Sequence, residues 1–262
     1  MVILIIIMIA PFLWMLSTSL KSQEYILQAT PQLIPDPMTT ESYTQLAERI
    51  DLARTFFNSM FVAVVGTIGQ LVVSAMAAYA FSRMEWRGRN TVFTLYLMTM
   101  MIPSVVLVIP QFILVRSLGW VNSYQSLIVP ALFSAFGTFL LRQSFLGLPK
   151  DFEEAAFIDG ANHFTIFWRI ILPLSKPALA TLAVFSFMGL WNAYLWPLFS
   201  ARKPDVMTLP VALATLQAGP RALTEWNMVM AGAVVTVLPI LIMYLLAQRW
   251  FVSGIVSSGI KG

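Results

Sequence analysis

The stretch from Pro149 to Pro177 reads PKDFEEAAFIDGANHFTIFWRIILPLSKP and is the longest charged insert between two apolar blocks of the chain. Its spacing predicts a helix over 151–159 that Gly160 breaks or bends. A second short helix follows, and the prolines at 173 and 177 end it. The insert therefore predicts two short helices joined at an angle.

Helical spacing places a set of side chains on one face of each predicted helix. These are Phe152, Ala155, Ala156 and Asp159 on the first helix, and Phe164, Phe167, Trp168 and Ile171 on the second. Glu153 and Glu154 lie off that face near the helix start, where negative charge suits the helix dipole. The small residues let another backbone approach closely, and Phe152 supplies an apolar anchor. The insert fits either a knob that docks in a groove of another protein or a hairpin that lies on the membrane surface.

The remaining charges leave long apolar gaps. The chain is 58% hydrophobic and 11% charged, whereas a soluble domain carries about 25% charged residues. About 20 apolar residues cross a bilayer as a helix. We therefore predict an all-α membrane protein of one domain with a cytoplasmic loop at 142–176. The six transmembrane helices are predicted at about 1–20, 57–82, 90–115, 124–141, 178–201 and 226–248.

Composition excludes several kinds of site. The chain has no cysteine, so disulfides, thiol catalysis and cysteine metal sites are ruled out. The single histidine, His163, is too isolated for a metal cluster, and no catalytic constellation is visible. The sequence lacks G-x-x-x-x-G-K-[ST], so we expect no ATP hydrolysis by this chain. The net charge of +4 does not require a nucleic acid as a partner, because basic residues are expected at membrane edges, next to the lipid.

The orientation rests on a short basic loop. Arg83, Arg87 and Arg89 follow the second predicted helix, and three arginines in a short loop mark the cytoplasmic side. Residues 1–20 lack the basic start of a signal peptide, so we expect a retained membrane helix with a short cytoplasmic leader before Met1. No charge falls within the predicted spans, which argues against an ion-coupled secondary carrier without excluding it.

Glu154-Ala155-Ala156, Gly160 and Ile170-x-Leu172-Pro173 form the pattern EAA---G---------I-LP. With this pattern the chain resembles the permeases of bacterial ATP-binding cassette (ABC) importers. The segments AAYAFSRMEWRGR and IILPLSKPALATLAVFSFMGLWNAYLWPL are similar to the carbohydrate-uptake branch, specifically to its second permease subunit, the counterpart of the shorter maltose permease. The resemblance implies the type I importer permease fold, in the cytoplasmic membrane of a bacterium or archaeon.

The resemblance also implies a coupling helix seated in a cleft of an ATPase. The residues implied at that contact are Glu153, Glu154, Ala155, Ala156, Asp159 and Gly160. Glu154 is expected to face a basic residue of the ATPase, and Asp159 to cap the helix after Gly160. The implied partners are a homologous longer permease, two ATP-binding subunits that carry ATP and Mg, and an extracellular solute-binding protein. The tail Val252–Gly262 is expected either to reach toward the ATPase or to be a frayed terminus.

Candidates for a substrate path are less sharply defined. Sugars are bound by aromatic stacking with polar hydrogen bonds, and a mid-helix amide needs a partner. The candidates are Asn192, Trp191, Tyr194 and Asn58, with Gln70 and Ser74 as weaker ones. The alternative for Tyr194 and Trp196, which we favour, is an interfacial aromatic belt. In the maltose relative the other permease holds most substrate contacts. The alternative is therefore that this chain mainly forms the wall and the gate of the passage.

We therefore expect a permease subunit that binds no cofactor itself and moves a sugar or sugar derivative by alternating access, driven by a separate ATPase. Glycerol phosphate or another polar solute is the alternative cargo. An ion-coupled secondary carrier is the alternative mechanism, and a membrane enzyme or scaffold without flux is the third reading.

The cysteine-free chain allows its topology to be tested by single-cysteine labelling. Asn162→Cys, on the predicted cytoplasmic side, should resist an impermeant thiol reagent in intact cells, whereas Thr40→Cys should react. The opposite pattern would reverse the assigned orientation.

Overall fold

The computed structural model describes residues 2–26, 32–217 and 225–258, and in these ranges the chain forms helices and no strand. The side chains of the tail Val252–Gly262, which was expected either to reach toward the ATPase or to be frayed, lie outside the described residues. The α-helices are α1 (Val2–Ser19), α2 (Gln23–Ile26), α3 (Glu41–Ile50), α4 (Leu52–Arg83), α5 (Arg89–Met98), α6 (Ser104–Ser117), α7 (Tyr124–Ile128), α8 (Ala135–Leu146), α9 (Asp151–Ile158), α10 (His163–Ile166), α11 (Leu172–Leu174), α12 (Lys176–Trp191), α13 (Leu195–Ser200), α14 (Leu209–Thr215) and α15 (Trp226–Ser258). Two 3₁₀ turns, Thr99–Met101 and Val129–Leu132, and one π-helical turn, Phe167–Ile171, complete the set.

Several of these helices have the length and composition to cross a membrane. Three do so singly, namely Leu52–Arg83, Tyr124–Leu146 and Trp226–Leu246. Two bent pairs, Arg89–Met101 with Ser104–Ser117 and His163–Leu174 with Lys176–Trp191, also qualify, and Leu4–Ser19 is a shorter apolar helix. Length and composition therefore support three to five membrane spans in the part of the chain that is described, and the sixth, at 1–20, stays a prediction.

The third predicted span, 90–115, is not one straight helix. Its two halves are bent by 103° at the break between Met101 and Ser104. Ile102 has an extended backbone, with φ −80° and ψ 118°, because a following proline disfavours helical geometry. Pro103 therefore sets the bend, whereas Pro110 is accommodated inside α6.

The fifth predicted span, 178–201, is also interrupted. The helix α12 ends at Trp191, and α13 begins at Leu195. Pro197 has no N–H to donate to the carbonyl four residues before it, so an unbroken helix would lose that hydrogen bond. The fourth predicted span, 124–141, ends too early, because α8 continues to Leu146.

The helices form two compact units, one from 1–60 with 193–242 and the other from 61–192 with 243–262. In the first unit, buried Leu46 of α3 packs with Met228 and Ala231 of α15. The core of the second unit draws on α4, α8, α12 and the helices after Gly160. Its buried members are Ala75, Ala78, Tyr79, Leu141, Phe145, Ile166, Phe167, Ile171 and Leu182. The charged insert is therefore anchored on the same core that joins the membrane helices of this unit.

Close helix contact in the second unit depends on Gly137 of α8. A Cβ atom there would lie 2.7 Å from Ser74 Oγ and 3.1 Å from both terminal carbons of Leu182. Small residues of this kind let membrane helices approach closely. Gly189 of α12 differs, because a Cβ atom there would meet nothing within 4 Å.

These two helical glycines make a matched pair of variants. Gly137→Ala should lower the free energy of unfolding by about 1–3 kcal/mol through overpacking. Gly189→Ala should be neutral or stabilise by up to about 1 kcal/mol, since alanine favours a helix. Thermal unfolding of the purified protein in mild detergent measures both. Equal effects would show that Gly137 does not hold the helices together.

Candidate functional site

The first half of the insert folds as its sequence predicts. The helix α9 carries three acidic residues in its first turn, where they suit the helix dipole. It ends at Ile158, and Gly160 follows with φ +81°, a left-handed conformation that favours glycine. The N–H of Ala161 donates to the carbonyl of Ala156 at 2.9 Å and closes the turn. The predicted break at Gly160 is confirmed.

The second half departs from the prediction in two ways. Phe167 and Ile171 are buried, whereas Phe164 and Trp168 are exposed, so the four do not share one face. Residues four apart in a helix stack on one side, which makes two separate pairs. The cap of α10 was also assigned wrongly to Asp159. It is the side chain of Asn162, whose Oδ1 accepts a hydrogen bond from the N–H of Thr165 at 2.9 Å.

Most of the predicted coupling residues are accessible. Glu154, Ala155, Asp159 and Gly160 are exposed, and Ala156 is half-buried against the core. Exposed apolar side chains surround them, namely Phe152, Ile158 and Phe164 at 52%, 86% and 71% exposure. We call these exposed residues the hairpin surface, and define it as Phe152, Glu154, Ala155, Ile158, Asp159, Gly160 and Phe164. Apolar anchors beside carboxylates are typical of a surface that binds another protein.

Glu153 does not belong to the hairpin surface. Its side chain is 10% exposed, and its Oε1 lies 2.9 Å from Nε of Arg83, whose side chain is 3% exposed. The same guanidinium donates hydrogen bonds to the carbonyls of Phe145 and Leu148, the second at 2.8 Å. Arg83 therefore ties the end of α4 to the end of α8 and to α9. From the sequence, Arg83 was interpreted in the same way as Arg87, as a charge on the cytoplasmic side after a membrane helix. The sequence pattern gives no sign of its contact with Glu153.

The charged side chains of Arg83 and Glu153 are buried, and their removal from water costs free energy. Burial raises the pKa of the Glu153 carboxyl, and the charges of Arg83, Lys150 and His163 oppose that rise. Because the folded chain then binds the proton more tightly than the unfolded chain, the free energy of unfolding falls as the pH rises through this pKa. Within the described residues, Arg83 Nε and Glu153 Oε1 have no further hydrogen-bond partner, so these two atoms depend on each other.

A further contact fixes the hairpin on α4. Nδ1 of His163 lies 3.1 Å from the hydroxyl of Tyr79 on α4, and its ring packs edge-on against Phe157 at 5.1 Å. Arg142 of α8 donates to the carbonyl of Phe81 at 3.1 Å and so ties α8 to α4. His163 is thus a packing residue, and the described residues contain no group of three side chains that could hold a metal ion.

Two of the substrate-path candidates have structural partners. Asn58 is 1% exposed and donates to the carbonyls of Asp205 and Met207 at 3.1 and 2.9 Å. Trp191 is fully buried, and its ring stacks on Phe187 with centroids 6.0 Å apart. A ring buried on both faces leaves no surface for a solute, so these side chains serve packing in this conformation.

The other two candidates are exposed. Asn192 follows the last residue of α12 and donates from Nδ2 to the carbonyl of Met188 at 3.0 Å. One amide hydrogen is therefore bonded within its own helix, which weakens the argument that the side chain needs a solute. Tyr194 is 42% exposed beyond the helix end. Their role in a substrate path stays a prediction.

Comparison with known proteins identifies related sequences along the chain. Residues 70–257 match the family described as binding-protein-dependent transport system inner membrane component. The arabinooligosaccharides transport system permease protein AraQ of Halalkalibacterium halodurans is 36% identical over 259 residues, which cover 98% of this chain and 92% of that protein. The sn-glycerol-3-phosphate transport system permease protein UgpE of Yersinia enterocolitica is 40% identical over 202 residues, or 77% of this chain and 72% of that protein.

Solved structures share the fold. A chain of a bacterial ABC transporter involved in the import of the acidic polysaccharide alginate superimposes with a TM-score of 0.86 at 27% identity, covering 95% of this chain and 92% of that chain. A chain of the MetNI methionine ABC transporter matches with a TM-score of 0.57 at 15% identity and covers 81% of this chain. The second likeness is one of fold alone.

The buried pair predicts a contrast between two adjacent glutamates. Glu153→Ala leaves the Arg83 guanidinium without its counter-charge and should lower the free energy of unfolding by about 3–5 kcal/mol. Glu154→Ala removes an exposed side chain and should change it by less than about 0.5 kcal/mol. Denaturant unfolding in detergent measures both. Equal values would show that the pair does not hold the hairpin.

Proposed function

Because the chain belongs to the family of binding-protein-dependent transport system inner membrane components, we propose that it is the permease subunit of an ABC importer for a sugar or sugar derivative. The relatives named for arabinooligosaccharide and glycerol phosphate transport support a small polyhydroxylated cargo. They disfavour the ion-coupled secondary carrier. The hairpin surface is the observation that carries the proposal, since it offers another protein an apolar anchor set beside the exposed carboxylate of Glu154.

The proposed partners divide the work. Two ATP-binding subunits bind ATP and Mg and hydrolyse the nucleotide, while this chain has no ATPase site of its own. A second, homologous permease completes the passage, and an extracellular solute-binding protein delivers the cargo. The family description places such a subunit in the inner membrane, which corresponds to a multi-pass protein of the cytoplasmic membrane.

The hairpin supplies a mechanical connection to the membrane helices. A force applied to α9 is carried by Glu153 to Arg83 at the end of α4, and by Arg83 to the last carbonyls of α8. The shared core of Phe145, Ile166 and Leu182 couples the second hairpin helix to α8 and α12. Movement of the ATPase cleft is thereby converted into alternating access, a two-state equilibrium biased by a partner.

Gly160 provides a test of coupling. A Cβ atom at Gly160 would meet nothing within 4 Å inside the chain, so Gly160→Asp adds backbone strain of roughly 1–2 kcal/mol and a charge on the hairpin surface. We expect uptake of the cargo to fall by about tenfold or more while the chain stays in the membrane. Uptake into cells and the amount of membrane-embedded chain are measured together.

Gly119→Asp is the matched control for this variant. Gly119 has φ +71° and an equally open Cβ direction, and it lies in the loop predicted to be external. Gly119→Asp adds the same kind of backbone strain as Gly160→Asp, but its carboxylate lies on the side away from the ATPase. Uptake should therefore stay close to that of the parent protein. Equal losses in both variants, or parental uptake with Gly160→Asp, would contradict the coupling role.

Gentle purification from the native membrane tests the assembly itself. A stoichiometric ATPase and a second permease should co-elute with this chain. If the chain elutes alone from several mild detergents and added ATPase does not bind, the hairpin is a membrane-surface element and the importer proposal is lost.

A further inference from the structure

The second unit has an open cavity of about 320 Å³ between α4, the segment 131–136 and α12. This volume lies in the range of about 300–1,000 Å³ that is usual for small-molecule sites. The predicted substrate-path residues Asn192, Trp191, Tyr194 and Asn58 are not part of its wall, whereas the weaker candidate Gln70 is.

Three polar side chains face the cavity, namely Gln70, Ser134 and Ser186. Ser186 is 6% exposed, and its hydroxyl has no hydrogen-bond partner in the described residues. A buried hydroxyl without a partner costs free energy that a ligand hydroxyl would recover. The Oγ of Ser134 accepts from the N–H of Gly137 at 3.0 Å, which leaves its own proton free to donate.

The remaining wall is aromatic and apolar. Phe133, Phe136 and Phe185 line the cavity and are 68%, 41% and 53% exposed. The rings of Phe136 and Phe185 meet edge to face, with centroids 5.9 Å apart at 88°. Open aromatic rings beside unsatisfied hydroxyls match a sugar ring, which has apolar C–H faces and a polar rim.

Gly189 keeps one side of the cavity open. It lies inside α12, where glycine is less favourable than alanine by about 1 kcal/mol. A Cβ atom at Gly189 would meet nothing within 4 Å, whereas at Gly66 and Gly69 it would lie 2.7 and 2.4 Å from leucine side chains. Gly189 is therefore not required by packing within the chain, and any larger side chain there would project into the cavity that it lines.

The lining contains no lysine, arginine or histidine. Phosphate recognition in proteins relies on such cations, so a phosphorylated solute is a poor fit. We propose that this cavity is a subsite for one uncharged sugar ring of an oligosaccharide, hydrogen-bonded by Gln70, Ser134 and Ser186 and stacked on the phenylalanines. The subsite rests on the proposed importer function and assigns to this chain direct contact with the cargo, beyond a role as wall and gate.

The test is equilibrium binding to the assembled complex of both permeases and the ATPase, without the solute-binding protein, so that only sites in the membrane subunits contribute. The probes are a radiolabelled neutral arabino-oligosaccharide and sn-glycerol 3-phosphate. The parent complex should bind the neutral oligosaccharide more tightly. Ser186→Ala should weaken that binding by about threefold to tenfold, the value of one hydrogen bond to a neutral group. Gly189→Leu should abolish it while the complex still assembles.

Ser175→Ala is the matched control. The hydroxyl of Ser175 is also buried and has no hydrogen-bond partner in the described residues, but it does not line the cavity. Binding should be unchanged. The subsite is overturned if Ser186→Ala and Ser175→Ala behave alike, if the parent complex prefers sn-glycerol 3-phosphate or binds neither probe, or if Gly189→Leu prevents assembly with the second permease, which would make that wall a packing surface. Failure of the ATPase to associate with a chain that still binds sugar would instead refute the importer function and leave the subsite intact.

Discussion

The buried guanidinium of Arg83 is the constraint on which the cytoplasmic half of the second unit depends. A charge with 3% of its side chain exposed is tolerated only where other groups satisfy it. Here the groups are the carbonyl of Phe145 in α8, the carbonyl of Leu148 just after α8, and the carboxylate of Glu153. The Arg83 side chain thus joins the end of α4 to the end of α8 and to α9. The three elements hold their relative positions because separating any of them would expose a charge or a polar group without a partner.

This arrangement divides the insert into an inner and an outer layer. Glu153, Phe167 and Ile171 face inward and fix the hairpin on the membrane helices, whereas Glu154 and Phe164 face outward. Adjacent residues on a short helix therefore do different work. The inner layer holds the hairpin surface on the membrane helices, which is what the proposed coupling to an ATPase requires.

The sequence predicted the parts of this design that depend on local chemistry. The break at Gly160 follows from a backbone preference that acts within a few residues. The cap by Asn162 was missed because Asp159 and Asn162 are both good capping residues and only the path of the turn separates them. The role of Arg83 and the cavity at Ser186 depend on residues more than fifty positions away in the chain, and no periodicity reports such contacts. Asn192 was singled out as an amide in need of a partner, and the sequence did not show that its Nδ2 can bond back to its own helix.

The π-helical turn Phe167–Ile171 affects how the chain can change in length. A turn of this kind holds one residue more than an α-helical turn requires. Deleting one residue there would leave an ordinary turn and keep the residues on both sides in phase. A deletion inside α12 would instead rotate everything after it by about 100° and carry buried side chains such as Leu182 or Trp191 out of the core. The wide turn is thus a position inside a helical segment at which the chain can lose a residue and keep its core.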